Sequence, residues 1–410
     1  MKLNTLKKSL RINDLKESNR IKILELIRQG ICSRVEISKV LGMSKPAVSS
    51  IVEELISEGL VLEKGHGPST ISGGKKPILL NFNFKAGTII AVYFNERWYE
   101  IALTDLATNI ISYAKKSTAI YKDYKRTLDD LIHDIQDLIN QRHNNNLPPI
   151  LACGIAIKGL VNPQQGTLKY SAALPDWSDV DIGKYLTNRL QVPVFIENDA
   201  RAITYGETLI GNNTNCHSLI CVTMSHGIGT GVVIQDEIYR GSQNGAVTFA
   251  HTTLVDNGPL CSCGNYGCWE ALASVSAFLK ELCKKNSKYQ ENNLIEIIQQ
   301  FHDGDPFVSD VLLNYTGYWL GVGIANILNV FNPEKLIIQG DITLAGERLK
   351  NKIEEVAKKR ALPVTRNVNI SFSKFTEKVE IKGSSAMVIK HLFSKEYHQK
   401  IWKPGTFAQL

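Results

Sequence analysis

The run Gly245-Ala246-Val247-Thr248-Phe249-Ala250-His251, continued ten residues later by Cys261-Ser262-Cys263-Gly264-Asn265-Tyr266-Gly267-Cys268-Trp269-Glu270, carries the decisive pattern of this chain. It brings one imidazole, His251, and three thiols, Cys261, Cys263 and Cys268, within eighteen positions. Zinc accepts Cys and His without a geometric preference of its own, and four protein ligands make a closed, structural site. Gly264 and Gly267 supply the backbone freedom for Cys263 and Cys268 to reach one ion. The spacing therefore predicts one structural Zn2+ per chain, held by His251, Cys261, Cys263 and Cys268.

Outward from that loop, short apolar runs such as Ile89-Ile90-Ala91-Val92, Leu151 to Ile157, Val194-Phe195-Ile196 and Leu219 to Val222 alternate with helical patterns. Alternation of this kind argues for an α/β body. At 410 residues the chain has room for two to three domains. Its eight cysteines are scattered apart from the cluster, and Met1 opens a polar, basic segment, so a cytoplasmic protein with reduced thiols is expected. Val311 to Phe331 is uncharged and long enough to span a bilayer, but it contains Asn314, Asn326 and Asn329 with three glycines. It reads as a buried helix, with no membrane insertion.

The net charge of +7 is concentrated at the N-terminus, where residues 1–80 hold ten Lys and four Arg against eight Asp and Glu. That asymmetry points to a polyanion. Ile21 to Ile27 has helical spacing and stops at Gly30; Ser33 with Glu36 reads as a capping box opening a helix to Leu41. After Gly42, Ser44 caps a second helix with Pro46 in its first turn and Val48, Ile51, Val52, Leu55 and Ile56 on its buried side. Two helices joined so tightly form a helix-turn-helix, whose second helix enters the major groove. Ser44, Lys45, Pro46, Ala47, Ser49 and Ser50 are the candidate DNA contacts. Two strands, Gly59 to Lys64 and Lys76 to Asn81, flank a Gly- and Ser-rich tip and make the unit winged, with Lys75 and Lys76 for phosphates or a minor groove.

The segment Gly245 to Ser274, with Glu197-Asn198-Asp199-Ala200 and Gly227-Ile228-Gly229-Thr230-Gly231, closely resembles the ROK family of repressors, open reading frames and kinases. The resemblance implies zinc at the same four residues and a two-lobed body of the actin and sugar-kinase (RNase H-like) type. It divides the chain into a winged helix-turn-helix over 1–81, a first lobe over 82–196 joined by a C-terminal helix at about 384–410, and a second lobe over 197–383 with the zinc loop and an oligomerisation surface. It also implies sugar contacts at Asn198, Asp199, His251 and Glu270. Thr248 stands where the family usually has Glu, and Lys158 where Pro is common.

Kinases of this family approach ATP with an Asp-x-Gly-Gly-Thr loop. Tyr93, Asn95, Glu96 and Arg97 occupy those positions here, so the loop lacks the bare backbone that cradles phosphate. Ile337 to Asp341 likewise lacks the adjacent glycines expected near adenosine. Asp199, matching the kinases' catalytic base, is expected to bind ligand only, and no catalytic residue is assigned. The expected function is a sugar-responsive, non-enzymatic repressor, a homodimer or tetramer. Its expected partners are operator DNA and a sugar, a sugar phosphate or a sugar-transport phosphotransferase protein. The alternative is an ATP-dependent hexose or N-acylhexosamine kinase with an added DNA-binding domain.

Overall fold

A computed structural model describes residues 2–67, 76–95, 97–117, 123–141, 147–172, 174–211, 213, 216–289, 293–375 and 377–394, with the side chains of 2–14 outside that description. The chain opens with α1 (Lys2–Arg28), α2 (Arg34–Leu41) and α3 (Lys45–Ser57), followed by the antiparallel pair β1 (Val61–His66) and β2 (Ile78–Phe82). Ser33 caps α2 by accepting the Glu36 N–H at 3.3 Å. The capping box is only half formed, because the Glu36 carboxylate accepts the Ser33 hydroxyl (2.8 Å) instead. Ser44 caps α3 through the Ala47 N–H, and Gly42 adopts the left-handed turn between the two helices at φ 63°.

α3 buries Val48, Ile51, Val52 and Leu55, while Ile56 is half-buried. Its opposite face leaves Ser44, Lys45, Pro46, Ala47 and Ser50 exposed and Ser49 half-buried. Lys16 pairs with Glu54 at 2.7 Å and Arg20 with Glu58, which fastens α1 along α3. Lys76 is exposed; Lys75 lies outside the described residues.

The body begins with β3 (Thr88–Phe94), β4 (Trp98–Thr104), β5 (Ile110–Ser117), α4 (Tyr124–Asn140), β6 (Ile150–Ile157), β7 (Leu160–Asn162), β8 (Thr167–Tyr170), α5 (Ile182–Leu190), β9 (Val194–Asn198) and α6 (Asp199–Leu209). Five of these strands form a sheet in the order β5-β4-β3-β6-β9. Next come β10 (Ser218–Met224), β11 (Ile228–Ile234), β12 (Glu237–Ile238), α7 (Trp269–Ala273), α8 (Val275–Lys285), α9 (Leu294–His302), α10 (Pro306–Asp310) and α11 (Tyr318–Phe331). The chain then adds β13 (Lys335–Gln339), α12 (Glu347–Arg360), β14 (Asn369–Phe372) and α13 (Val379–Leu392). A second sheet, ordered β12-β11-β10-β13-β14, completes the two-lobed sugar-kinase-like architecture. The apolar segment Pro306–Phe331 passes by length and composition as a membrane span, yet 61% of its most apolar window is buried inside the molecule. Trp269 seals its packing by donating from its indole to the Trp319 carbonyl at 2.9 Å.

α13 begins at Val379, before the expected 384, and the portion expected beyond residue 394 lies outside the described residues. It crosses α6 at glycines: a Cβ on Gly383 would stand 2.6 Å from the Ala202 carbonyl oxygen, and one on Gly206 would stand 3.4 Å from the Gly383 Cα. At its far end Leu392 and Phe393 share one apolar core with Ile23, Leu24, Val52 and Leu55 of the N-terminal helices. The Phe393 ring lies 5.8 Å from Phe82, with the Arg28 guanidinium 5.6 Å from its centroid. Gly383→Ala forces the α6–α13 crossing apart against backbone atoms. We expect it to lower stability by about 1–3 kcal/mol, read as a shifted denaturant midpoint at unchanged m-value.

Candidate functional site

His251, Cys261, Cys263 and Cys268 meet as the spacing implied, with one ligand atom from each lying within 4.8 Å of all the others. The Cys263 and Cys268 sulfurs are 3.7 Å apart, and Cys261 Sγ is 3.5 Å from His251 Nδ1. Ligands at zinc's usual bond lengths, placed tetrahedrally, stand about 3.8 Å apart for two sulfurs and about 3.6 Å for sulfur and nitrogen. Those two of the six edges match a tetrahedral ion, and all six lie within 4.8 Å. Gly264 (φ 88°) and Gly267 (φ 66°) make the turns, and a Cβ on Gly267 would collide with the Val255 carbonyl. Burial first, then the neighbouring Cys263, push the Cys268 thiol up to about 12; a bound divalent cation would favour the thiolate.

Asn198, Asp199, Thr248, His251 and Glu270 line one cleft of about 910 Å³, together with Lys158 and Tyr170. Several of their polar atoms already have partners. Asn198 caps α6 by accepting the Arg201 N–H at 3.2 Å and donates to the Gly159 carbonyl at 3.1 Å. Asp199 accepts from the Ala200 N–H at 2.9 Å and from the Asn198 amide at 3.1 Å. The Thr248 hydroxyl turns back to donate to the Gly245 carbonyl at 2.9 Å. Glu270 accepts the Ile228 N–H at 3.2 Å and the Ser262 hydroxyl at 2.9 Å, tying the zinc-ligand loop to the glycine-rich turn.

That glycine-rich turn is the hairpin between β10 and β11, with Met224 opposite Ile228. One of its amides therefore already faces a carboxylate. The turn between β3 and β4 is closed by its own side chain: Asn95 Oδ1 accepts from the Arg97 and Trp98 amides at 2.8 and 2.9 Å. Glu96 lies outside the described residues. Nearby, burial first, then Glu100, Asp199 and Asp341, raise the Glu380 carboxyl to about 7.

Beneath the cleft lies a cluster that residue patterns did not single out. Glu197, 1% exposed, accepts from Arg240 at 2.8 and 2.9 Å and from Arg201 at 3.4 Å. Arg240 also donates to the Tyr205 hydroxyl at 2.7 Å. Glu197 lies at the end of β9 ahead of the α6 cap, so no helical spacing marks its pair with Arg201, and the contact with Arg240 spans forty-three residues.

A family model described as "ROK family" matches residues 96–391, and one described as "Winged helix-turn-helix DNA-binding" matches residues 16–61. The xylose repressor of Bacillus spizizenii is 34% identical over 382 residues, covering 92% of this chain and 96% of that protein. The DNA-binding transcriptional repressor Mlc of Escherichia coli is 25% identical over 91% of this chain and 93% of its own length. A crystal structure described as a ROK family transcriptional regulator, homologous to the Escherichia coli MLC protein, superposes with a TM-score of 0.84 at 25% identity, covering 95% of this chain and 100% of that one. Likeness of this extent, in sequence and in both lobes, settles the family: the chain belongs to the ROK family and carries an N-terminal winged helix-turn-helix.

Proposed function

We propose that this chain is a sugar-responsive transcriptional repressor that binds operator DNA through α3 and releases it when a small carbohydrate fills the cleft. The observation that carries this reading is the exposed N-terminal end of α3, bearing only Ser, Lys, Pro and Ala side chains at Ser44, Lys45, Pro46, Ala47 and Ser50, on the same chain as a polar ligand cleft. Short side chains let a recognition helix approach base edges, and two-fold related half-sites call for a homodimer. In this reading 1–81 is the DNA-binding domain, 82–196 with the part of α13 from about 384 the first lobe, and 197–383 the second. Lys75 and Lys76 supply phosphate contacts from the wing.

Three features support a regulator over a kinase. Asn95 occupies the amides a phosphate would need, Glu270 occupies an amide of the glycine-rich turn, and Glu380 sits among Glu100, Asp199 and Asp341. Each opposes a polyanionic nucleotide. Asp199 then serves as a hydroxyl acceptor for ligand. Thr248 replaces a long acceptor, which suits a pentopyranose, because it has one hydroxyl fewer than a hexopyranose. D-Xylose, named in the relative at 34% identity, is the first effector to test. Zn2+ at His251, Cys261, Cys263 and Cys268 supplies a structural cross-link that fixes the loop carrying Glu270; it takes no part in chemistry.

The deciding experiment measures affinity for DNA upstream of neighbouring sugar-transport genes, with D-xylose, D-glucose, their phosphates or a phosphotransferase component added. Release by D-xylose with weak response to glucose is expected; phosphorylation of any of these sugars with ATP would sink the repressor-only reading. Lys45→Ala and Lys76→Ala together should weaken DNA binding and flatten the log–log salt slope by about 1 per lost phosphate contact.

For the metal, elemental analysis should find one zinc per chain, lost in Cys261→Ala and Cys268→Ala, with the loop becoming protease-sensitive. A wild-type protein free of zinc after chelator-free purification would remove the cation.

The Glu380 carboxyl stands at about 7 in the folded chain against an ordinary 4.5. The folded state therefore holds the extra proton between those values, and its contribution is complete below 4.5 and lost as pH rises through 7. Glu380→Gln should accordingly match wild-type stability near pH 4.5 and exceed it by about 1–3 kcal/mol at pH 8, as thermal melts across that range will read.

A further inference from the structure

We propose that Arg201 is a positioning residue for the cleft, a role that rests on reading the cleft as the effector site. Its guanidinium hangs the segment Asn244–Thr248 from the core. Arg201 is 5% exposed in the first turn of α6. One of its terminal nitrogens lies on Glu197 at 3.4 Å, while the other donates to two carbonyls of the segment, Asn244 at 2.8 Å and Ala246 at 3.2 Å. The start of the segment returns to the same carboxylate, since Arg240 donates to Glu197 and its own carbonyl accepts the Ala246 N–H at 3.0 Å. Thr230 pins the next carbonyl, that of Val247.

Little else holds the segment. Gly245 and Thr248 are exposed, Asn244, Ala246 and Val247 are half-buried, and a Cβ on Gly245 would meet only the Leu160 side chain, at 3.6 Å. Val247 packs against the core around β10 and β11, and the rest of the segment's course is set by hydrogen bonds to pinned carbonyls. Those pins force Val247 to φ 68°. A β-branched residue in the left-handed region is strained, and such strain persists only where surrounding contacts over-determine the backbone. The product of that constraint is the placement of Thr248 on the cleft wall and, three residues on, of His251 at the metal cluster.

The fork of the guanidinium is what the arrangement requires. A planar group with donors on separate nitrogens can face a carboxylate and two carbonyls together, whereas an ammonium retains the charge but is a single point. Arg201→Lys therefore separates hanging the segment from neutralising Glu197. Val247→Gly supplies a complementary probe, because glycine takes positive φ without strain while giving up the Val247 packing on that core.

The test uses the full chain as wild type, Arg201→Lys, Val247→Gly and the double variant, followed by amide hydrogen exchange resolved to peptides and by calorimetric titration with D-xylose. Arg201→Lys should raise exchange in 240–251 by about tenfold while leaving β3 and β6 unchanged, and should weaken D-xylose binding by about tenfold. Val247→Gly in the Arg201→Lys background should recover part of both losses. Wild-type exchange in Arg201→Lys, or a rise spread evenly over the body, overturns the positioning role, the latter by showing a merely structural one. Should the wild type fail to bind D-xylose while Arg201→Lys still loosens 240–251 alone, the effector identity falls and the role of Arg201 in placing the segment stands.

Discussion

The crossing of α6 and α13 is the constraint on which the molecule depends. Gly383 lets two backbones approach more closely than a side chain would allow, with Gly206 facing it across the crossing. One end of α6 is the cleft, because Asn198 caps it and Asp199 and Arg201 lie in its first turn. One end of α13 is the N-terminal unit, because Phe393 packs on Phe82 beneath Arg28. The close crossing therefore holds the ligand-facing and DNA-facing parts of the chain in one packed body. Between them, the His391 ring stacks on Phe195 at 4.4 Å with an interplanar angle of 3°. Burial first, then Arg240 and Lys390, push that imidazole down to about 4, so it remains neutral at physiological pH.

Glu197 shows why the cleft floor is polar without being loose. A carboxylate so fully enclosed would be prohibitive alone, and removal of a partner from such a pair is far more damaging than the pair is stabilising. Here two guanidiniums and the Asn198 N–H, donating at 2.9 Å, satisfy it. Burial alone would lower the charge preference of Arg240, yet its pKa is raised, since Glu197 and Tyr205 outweigh desolvation. The network gives geometry more than stability: each donor direction fixes a different piece of backbone around the site.

What could be read from the sequence follows the range of the forces involved. The helix-turn-helix was legible because its boundaries are set locally, by Ser33, Gly42 and Ser44 acting within a few residues of themselves. The meeting of His251 with Cys261, Cys263 and Cys268 was legible because three thiols and an imidazole within eighteen positions have few other uses. The turn between β3 and β4 was legible only in part. The sequence places Tyr93, Asn95, Glu96 and Arg97 at this turn, and the structure adds that the Asn95 amide oxygen folds back on the Arg97 and Trp98 amides as an Asx turn. The hub at Glu197, the strain at Val247 and the early start of α13 were not legible. The first two rest on contacts with residues distant in sequence, Arg240 on Glu197 and Arg201 on the Asn244 and Ala246 carbonyls.

A cleft ligand can release DNA only by preferring one arrangement of this body over another, and moving a two-state balance from 1:99 to 99:1 takes about 5.5 kcal/mol of differential affinity. Contacts of the kind seen between the cleft and α13 are worth a few kcal/mol together, by the scale of charged hydrogen bonds and aromatic pairs. The two magnitudes are comparable, so no long lever is required. The groups between the two ends are few: Arg240 on Glu197, His391 stacked on Phe195, and Phe393 on Phe82. The same comparison explains the economy of the site: Asn198 and Asp199 adjoin Glu197 in sequence, so a ligand that draws on their lone pairs acts one residue from the carboxylate that holds the second wall.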